Sequence, residues 1–222
     1  MTLSDRFFSD LAALGARRGS DPSIFLTVWC VESGANPHAI NSIGARGLNQ
    51  MLPSTLAALG APASFERLSA EAQLPWIEKL IASGERRNGG PFESAARYYH
   101  ANFFPVTMAR GNAPDAIVAA KDATDPRERD AYAFNVGLDA DGDGKITLAD
   151  LATVLERVRP KYQDAFARLD AAVSALQVQP WQPASLVSAT SKGAGLAGGV
   201  LLAGMIALAF ARHAFSRGTV HT

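Results

Sequence analysis

Motifs that would indicate other functions are missing from this 222-residue chain. A single cysteine, Cys30, excludes an internal disulfide framework and any zinc or iron–sulfur site that needs several thiolates. The histidines stand far apart, so there is no HExxH-type metal pair. There is also no Gly-x-x-x-x-Gly-Lys phosphate loop and no Gly-x-Ser-x-Gly turn. These absences argue against metalloprotease, nucleotide-binding and serine-hydrolase chemistry.

No charge of one sign prevails in the chain. It has 21 basic and 21 acidic residues, so it lacks the basic surface that nucleic acids require, and we expect no nucleic-acid partner. A secretory signal is also missing, because Met1–Asp10 is polar and acidic and the apolar run Ile24–Val31 is short and has no basic lead-in. We therefore expect no signal peptide.

Hydrophobic residues make up 48% of the chain, enough for a packed core. They recur at three- and four-residue spacing between prolines and glycines, and alternating strand patterns are nearly absent, which predicts an all-α fold. The pair Asp21-Pro22 favours a helix start, and the helix that follows, up to Gly34, is apolar nearly all round and therefore buried. Further helices are predicted after Ser69, from Pro91, and over Pro114–Lys121, Leu148–Val158 and Tyr162–Leu176.

The C-terminal part of the chain has a different composition. Residues 177–191 are uncharged and contain two prolines, which is typical of a linker. Residues 193–211 contain no charge and, as a helix, match the thickness of a bilayer core of about 30 Å. We therefore predict a transmembrane helix at 192–212 that enters the membrane through 193–211, followed by a short basic tail at 213–222. The alternative is a buried core helix.

Glu32 lies at the end of the apolar helix. A carboxyl group in such a place is partly removed from water, which raises its pKa and lets it give a proton to a leaving oxygen near neutral pH. That is the requirement for cleaving a glycosidic bond. A solvated helix-terminal glutamate is the alternative.

Four short motifs follow in order: Glu32-Ser33, Pro37-His38-Ala39, Gly44-Ala45-Arg46-Gly47-Leu48-Asn49-Gln50 and Pro53-Ser54-Thr55. Together they resemble the lytic transglycosylase family of the lysozyme superfamily, over about residues 20–110. The resemblance implies a lysozyme-like helical domain that acts on peptidoglycan glycan strands. The chain departs from the family at Asn49, where the family usually has Met, and at Asn41, where it often has Ser.

The resemblance also implies the roles of individual residues. Glu32 is the expected acid and base, and the expected substrate-binding residues are Ser33, Asn49, Gln50 and Tyr99. Tyr99 comes from the segment Ala96–Pro105, which looks like the later aromatic segment of the family and contains a Tyr-x-Ala-x-Phe-x-Pro string similar to that of phage-associated members. Tyr98 is the fallback for this position.

The chemistry implied is that of a single carboxylate. Ordinary glycosidases use two carboxylates, but Ser33–Phe65 contains no Asp or Glu. A lytic transglycosylase manages with one, because the 6-hydroxyl of the sugar attacks in place of water and closes a 1,6-anhydro ring. Two alternatives stay open. One is a hydrolytic lysozyme, with Glu66, Glu71, Glu78 or Glu93 approaching the site, and the other is a non-enzymatic, calcium-stabilised membrane or virion structural protein.

A second motif, Asp139–Asp150, resembles the twelve-residue calcium loop of EF-hand and dockerin proteins. The resemblance implies Ca²⁺ ligands at Asp139, Asp141, Asp143, Lys145 (main-chain carbonyl), Thr147 and Asp150, the last at the position where EF-hands prefer Glu. With only one loop, we predict a structural ion rather than a calcium sensor. A solvated acidic turn is the alternative.

Taken together, the sequence predicts a lysozyme-like transglycosylase domain at 1–125 and an EF-hand-like loop with flanking helices at 126–176. The linker, the membrane helix and the basic tail follow. The phage-like segments, the terminal span and the missing signal peptide predict a membrane-anchored, virion-associated enzyme for host cell-wall penetration, in contact with other virion or envelope proteins. A bacterial secretion or conjugation system is the alternative setting.

Overall fold

The computed structural model describes residues 3–178, which are mostly helical. The α-helices of this part are α1 (Asp5–Arg18), α2 (Pro22–Ser33), α3 (Pro53–Leu59), α4 (Ala70–Asn88), α5 (Ala95–Phe103), α6 (Pro126–Phe134), α7 (Leu148–Glu156) and α8 (Gln163–Val178). Short 3₁₀ turns lie at Phe65–Arg67, Pro105–Arg110, Val136–Leu138 and Arg159–Tyr162. Two strands, β1 (Ile117–Ala120) and β2 (Lys145–Thr147), form one antiparallel sheet.

Helix α2 has the ends that the sequence predicts. The Asp21 carboxylate accepts a hydrogen bond from Ser23 N at 2.8 Å, and Pro22 occupies the first turn. Gly34 ends the helix in the left-handed conformation, with φ of 66°. Phe25, Val28 and Trp29 are fully buried, so α2 runs through the interior of the protein.

One hydrophobic core extends over nearly the whole described part of the chain. It includes Phe7 of α1, Trp29 of α2, Ile77 of α4 and Leu169 of α8, each no more than 1% exposed. Helix α8 is also held to the N-terminus by Arg168, which donates to Leu3 O at 2.7 Å. The segments predicted as 1–125 and 126–176 therefore pack against each other around a shared core.

The two-stranded sheet is the exception to the predicted all-α fold. The sequence predicts a helix over Pro114–Lys121, but Ile117–Ala120 is a strand that pairs with Lys145–Thr147. The physical reason is tertiary, since the pairing buries Val118, Ala119 and Ile146 completely. Four residues are too few for their periodicity to distinguish a strand from a helix.

Helix α5 begins four residues later than Pro91, where the sequence placed its start. The Ser94 hydroxyl caps it by accepting Arg97 N at 3.2 Å. Before the cap, the buried Phe92 donates its N–H to the Ser20 hydroxyl at 3.0 Å, which joins this segment to the turn before α2. Arg97 then anchors the following 3₁₀ turn by donating to Met108 O at 2.9 Å.

The predicted linker overlaps the end of α8, which continues to Val178. The rest of the linker, the membrane helix at 192–212 and the basic tail at 213–222 lie outside the described residues. Among residues 3–178, no helix combines the length and the hydropathy needed to cross a bilayer.

Candidate active site

Glu32 is the penultimate residue of α2 and is only 7% exposed. The helix ends immediately after it, where Gly34 N donates to Cys30 O at 3.2 Å and Ala35 N donates to Trp29 O at 3.0 Å. These bonds fix the last turn, so the backbone that carries Glu32 is held in place. An apolar helix with a tight left-handed end therefore brings one carboxyl group to the edge of the core.

Burial raises the pKa of Glu32 from its usual value to about 8, and no charged group of the described chain contributes to this shift. Removal from water disfavours the ionised form, so this carboxyl is mostly protonated at neutral pH. Burial, and to a smaller degree the charged form of Glu32, raises the pKa of Tyr98 and of Tyr99 above the usual range. Both tyrosines of α5 thus lie within electrostatic reach of the acid.

The segment Ile40–Met51 is an irregular loop that folds back against α2. Isolated antiparallel β-bridges pair the backbone of Arg46 with Ile40 and with Met51. The Ser33 hydroxyl donates to Leu48 O at 2.8 Å. Gly47 has a φ of 76°, and a Cβ atom there would lie 2.5 Å from Gln73 Oε1. The glycine is therefore required both by the backbone conformation and by the close approach of a neighbouring side chain.

Gln73 of α4, which belongs to none of the sequence motifs, holds this loop. Its side chain is fully buried, and its Oε1 accepts Leu48 N at 2.9 Å. Its Nε2 donates to Pro37 O at 2.6 Å. The signal that could have identified it is a polar residue on the otherwise apolar face of α4 formed by Ala70, Leu74, Ile77 and Ile81.

Three predicted substrate-binding residues lie where this loop meets α2: Ser33 at the end of the helix, and Asn49 and Gln50 in the loop. They differ in solvent exposure. Ser33 is half-buried, whereas Asn49 and Gln50 are each 1% exposed. Gln50 Nε2 donates to Gly47 O at 2.9 Å, so half of its amide is used inside the loop. Asn49 Oδ1 accepts hydrogen bonds from Trp29 and Tyr98.

The two candidate tyrosines are distinguished by their hydroxyl groups. Tyr98 is 1% exposed and its hydroxyl donates to Asn49 Oδ1 at 2.7 Å, so it is engaged inside the core. Tyr99 is 7% exposed, and its hydroxyl has no hydrogen-bond partner within residues 3–178. Of the two, Tyr99 is the one with a hydroxyl group left for a ligand.

The segment Asp139–Asp150, here called the acidic loop, brings together three of the predicted Ca²⁺ ligands. Oxygen atoms of Asp139, Asp141 and Asp143 all lie within 4.8 Å of one another. Tyr132 donates its hydroxyl to Asp139 Oδ2 at 2.8 Å, and this bond raises the pKa of Tyr132 to about 12. The loop leads into β2, which pairs with β1.

The other predicted ligands have structural contacts. Asp150 is not part of this cluster of three carboxylates. Its two oxygens accept the N–H groups of Ala140 at 3.1 Å and Thr147 at 2.8 Å. Thr147 and Asp150 thereby form a capping box at the start of α7. Lys145 lies in β2, and its ammonium is 3.8 Å from Asp143.

Comparison with known families bears on the part of the site formed by α2 and the Ile40–Met51 loop. Residues 11–76 match the family model of the transglycosylase SLT domain. The match runs from α1 into α4 and includes Glu32, Ser33, Asn49 and Gln50. It supports a peptidoglycan-cleaving activity of the lytic transglycosylase type, in a mostly helical, lysozyme-like fold.

The SLT match ends before Tyr99 and the acidic loop, so it gives no information on either. No curated protein and no solved structure matches the chain significantly.

Proposed function

We propose that the chain is a peptidoglycan lytic transglycosylase, with Glu32 as the only acid and base. It cleaves the β-1,4 bond between N-acetylmuramic acid and N-acetylglucosamine. The observation that carries this proposal is the environment of Glu32, which is buried within the SLT-matching segment and has its pKa raised to about 8. A carboxyl group in that state is protonated at neutral pH and serves as a general acid.

The reaction balances with one carboxyl group. Glu32 gives its proton to the bridging oxygen as the bond from that oxygen to C1 of the muramic acid breaks. The resulting carboxylate takes the proton of the 6-hydroxyl of the same sugar, and O6 forms the new bond to C1. The acid is thereby restored, and an internal hydroxyl, already close to C1, replaces the water of hydrolysis.

The neighbouring acids support a mechanism with one carboxylate. Glu66 pairs with Arg46 at 3.0 Å and Glu78 pairs with Arg17 at 2.9 Å. Glu71 accepts the hydroxyl of Ser4. Glu93 is exposed to solvent.

Product analysis tests this proposal. Purified peptidoglycan digested with the full chain is expected to give muropeptides with 1,6-anhydro ends, each lighter by one water molecule than the hydrolytic product. Mass spectrometry of the digest separates the two outcomes. Reducing ends would instead establish a hydrolytic lysozyme, and an undigested cell wall would contradict both enzymatic functions and favour a structural role.

We also propose that the acidic loop holds a structural Ca²⁺ ion. The donor set fits, since Asp139, Asp141 and Asp143 present only oxygen ligands, and three such carboxylates repel one another without a cation. When bound, the ion would neutralise these charges. The motif predicts three further ligands, which are Lys145, Thr147 and Asp150. In the structure, the oxygens of Asp150 accept backbone N–H groups.

Melting in the presence of a chelator tests the calcium site. With free Ca²⁺ at about 100 times its Kd, binding stabilises the folded state by about 2.7 kcal/mol. Chelation by EDTA is therefore expected to lower the Tm by about 5–10 °C. Asp141→Asn serves as the control and should lose most of this response. A Tm that is the same in Ca²⁺ and in EDTA would contradict the proposal.

From the sequence alone, we propose that residues 193–211 anchor the enzyme in a membrane of a virion or a bacterial envelope. The proposal stands on the length of this uncharged stretch and its basic flank. Contact with other virion or envelope proteins belongs to the same proposal.

A further inference from the structure

The Asn49 side chain forms a buried junction. Its Oδ1 accepts hydrogen bonds from Trp29 Nε1 at 2.9 Å and from the Tyr98 hydroxyl at 2.7 Å, with a longer one from Asn102 Nδ2 at 3.4 Å. The indole N–H only donates, so the amide atom that faces Trp29 must be the oxygen. The nitrogen, Asn49 Nδ2, is then one of two buried side-chain atoms without a hydrogen-bond partner in residues 3–178, the other being Gln50 Oε1.

The donors of this junction belong to the two helices that carry the site. Trp29 precedes Glu32 by one turn of α2, and Tyr98 directly precedes Tyr99 on α5. Ser33, on the other side of Glu32, donates to the carbonyl of Leu48, the neighbour of Asn49. The loop therefore contacts α2 both before and after the acid, and the same loop contacts α5.

We propose that Asn49 is a positioning residue, which fixes α2 against α5 through Trp29 and Tyr98 so that Glu32 and Tyr99 act on the same sugar bond. The inference rests on the proposed function. It gives Asn49 a role different from the substrate contact expected from the sequence, because a side chain that is 1% exposed has no surface for a sugar. An apolar residue would avoid the unpaired Nδ2 but would deprive the buried donors of Trp29, Tyr98 and Asn102 of this acceptor.

The test uses Asn49→Leu, a change that keeps the branched shape and the number of side-chain heavy atoms but removes the acceptor. Small displacements of reacting groups reduce turnover strongly, so kcat on peptidoglycan is expected to fall by about 10- to 100-fold while KM stays within about twofold. The double variant Asn49→Leu/Tyr98→Phe also removes a stranded donor, and it is expected to recover several-fold of the lost kcat.

The control is Thr107→Val. The Thr107 hydroxyl is buried, donates to Val118 O at 2.9 Å and lies 2.9 Å from His100 Nε2 of α5, but it makes no hydrogen bond to α2 or to Ile40–Met51. This variant should lower the Tm and leave kcat within about twofold, as expected for loss of a buried hydrogen bond away from the acid. An equal loss of kcat in Thr107→Val and Asn49→Leu would overturn the proposal, as would a higher KM at unchanged kcat in Asn49→Leu.

A second readout does not depend on activity. In a double-mutant cycle on the free energy of unfolding, Asn49→Leu and Tyr98→Phe are expected to be non-additive, because each breaks the same bond. Additive effects would overturn the proposal even if the chain proves inactive on peptidoglycan. Failure of the proposed function appears separately, as wild-type protein that releases no anhydro products.

Discussion

Replacing Glu32 with Gln is expected to slow the release of anhydro-muropeptides by about 100- to 10,000-fold, the usual contribution of a general acid and base. Gln fills the same volume but has no proton to give and cannot take one from the 6-hydroxyl. The carboxylates of Glu66, Glu71 and Glu78 are engaged with other partners, so we expect none of them to take over its role. The measurement is the initial rate of product release, followed by mass spectrometry.

Glu78→Gln is the matched control for this experiment. Glu78 is another glutamate near the SLT-matching segment, but it pairs with Arg17 at the surface. Such exposed pairs contribute about 0–1 kcal/mol, so the activity of this variant should stay within about twofold of wild type. If Glu32→Gln digested cell wall as fast as wild type and Glu78→Gln, Glu32 would not be the acid.

The sequence was informative where the cause is local. Asp21 and Pro22 define the start of α2, and Gly34 defines its end, because capping depends on the residues at the helix termini themselves. An apolar helix that carries one carboxyl at its last turn also predicts that this carboxyl is poorly solvated. The burial of Glu32 follows from the same pattern.

Contacts between distant segments could not be predicted in this way. β1 is a strand because it pairs with β2, which comes much later in the chain, and its own four residues do not specify that partner. The role of Gln73 depends on where the Ile40–Met51 loop folds back, and the loop lies well before α4. Each of these features is decided by tertiary packing.

The choice between Tyr98 and Tyr99 shows the same limit within one helix. Neighbouring helical residues point in directions about 100° apart, and spacing alone does not say which of them faces the acid. The structure separates the two because Asn49 accepts the Tyr98 hydroxyl. The family usually has an apolar Met at the position of Asn49. Since Met has no such acceptor, the family pattern does not predict this contact.

The second large effect concerns stability. Glu32→Gln is expected to make the folded protein more stable than wild type at alkaline pH, although it removes the proposed acid. The pKa of Glu32 is raised by burial from 4.5 to about 8. Between these values the folded state binds more protons than the unfolded state, so the stability of wild type falls as the pH rises. The stabilising contribution is fully present below about pH 4.5 and is lost as the pH passes 8.

At about 1.4 kcal/mol per pKa unit, this shift corresponds to a cost of up to about 5 kcal/mol once Glu32 is ionised. Gln stays neutral and does not bear that cost. The difference in Tm between the variant and wild type should therefore be small near pH 4.5 and should rise to about 10 °C above pH 8. Melting curves taken at several pH values measure it directly.

Two other titrating groups, His100 and Glu66, must be separated from Glu32 before the pH dependence of this Tm difference is assigned to it. Burial lowers the pKa of His100 to about 3, so His100 also affects stability at acid pH, but it is present in both proteins and cancels in the difference. Glu66→Gln is the control with the opposite sign: backbone and Arg46 hydrogen bonds lower the pKa of Glu66, and its contribution is lost as the pH falls. That variant should gain no stability at alkaline pH. A Tm difference for Glu32→Gln that stayed constant from pH 5 to 9 would mean that the carboxyl is solvated, and the proposed acid would lose the property on which its chemistry depends.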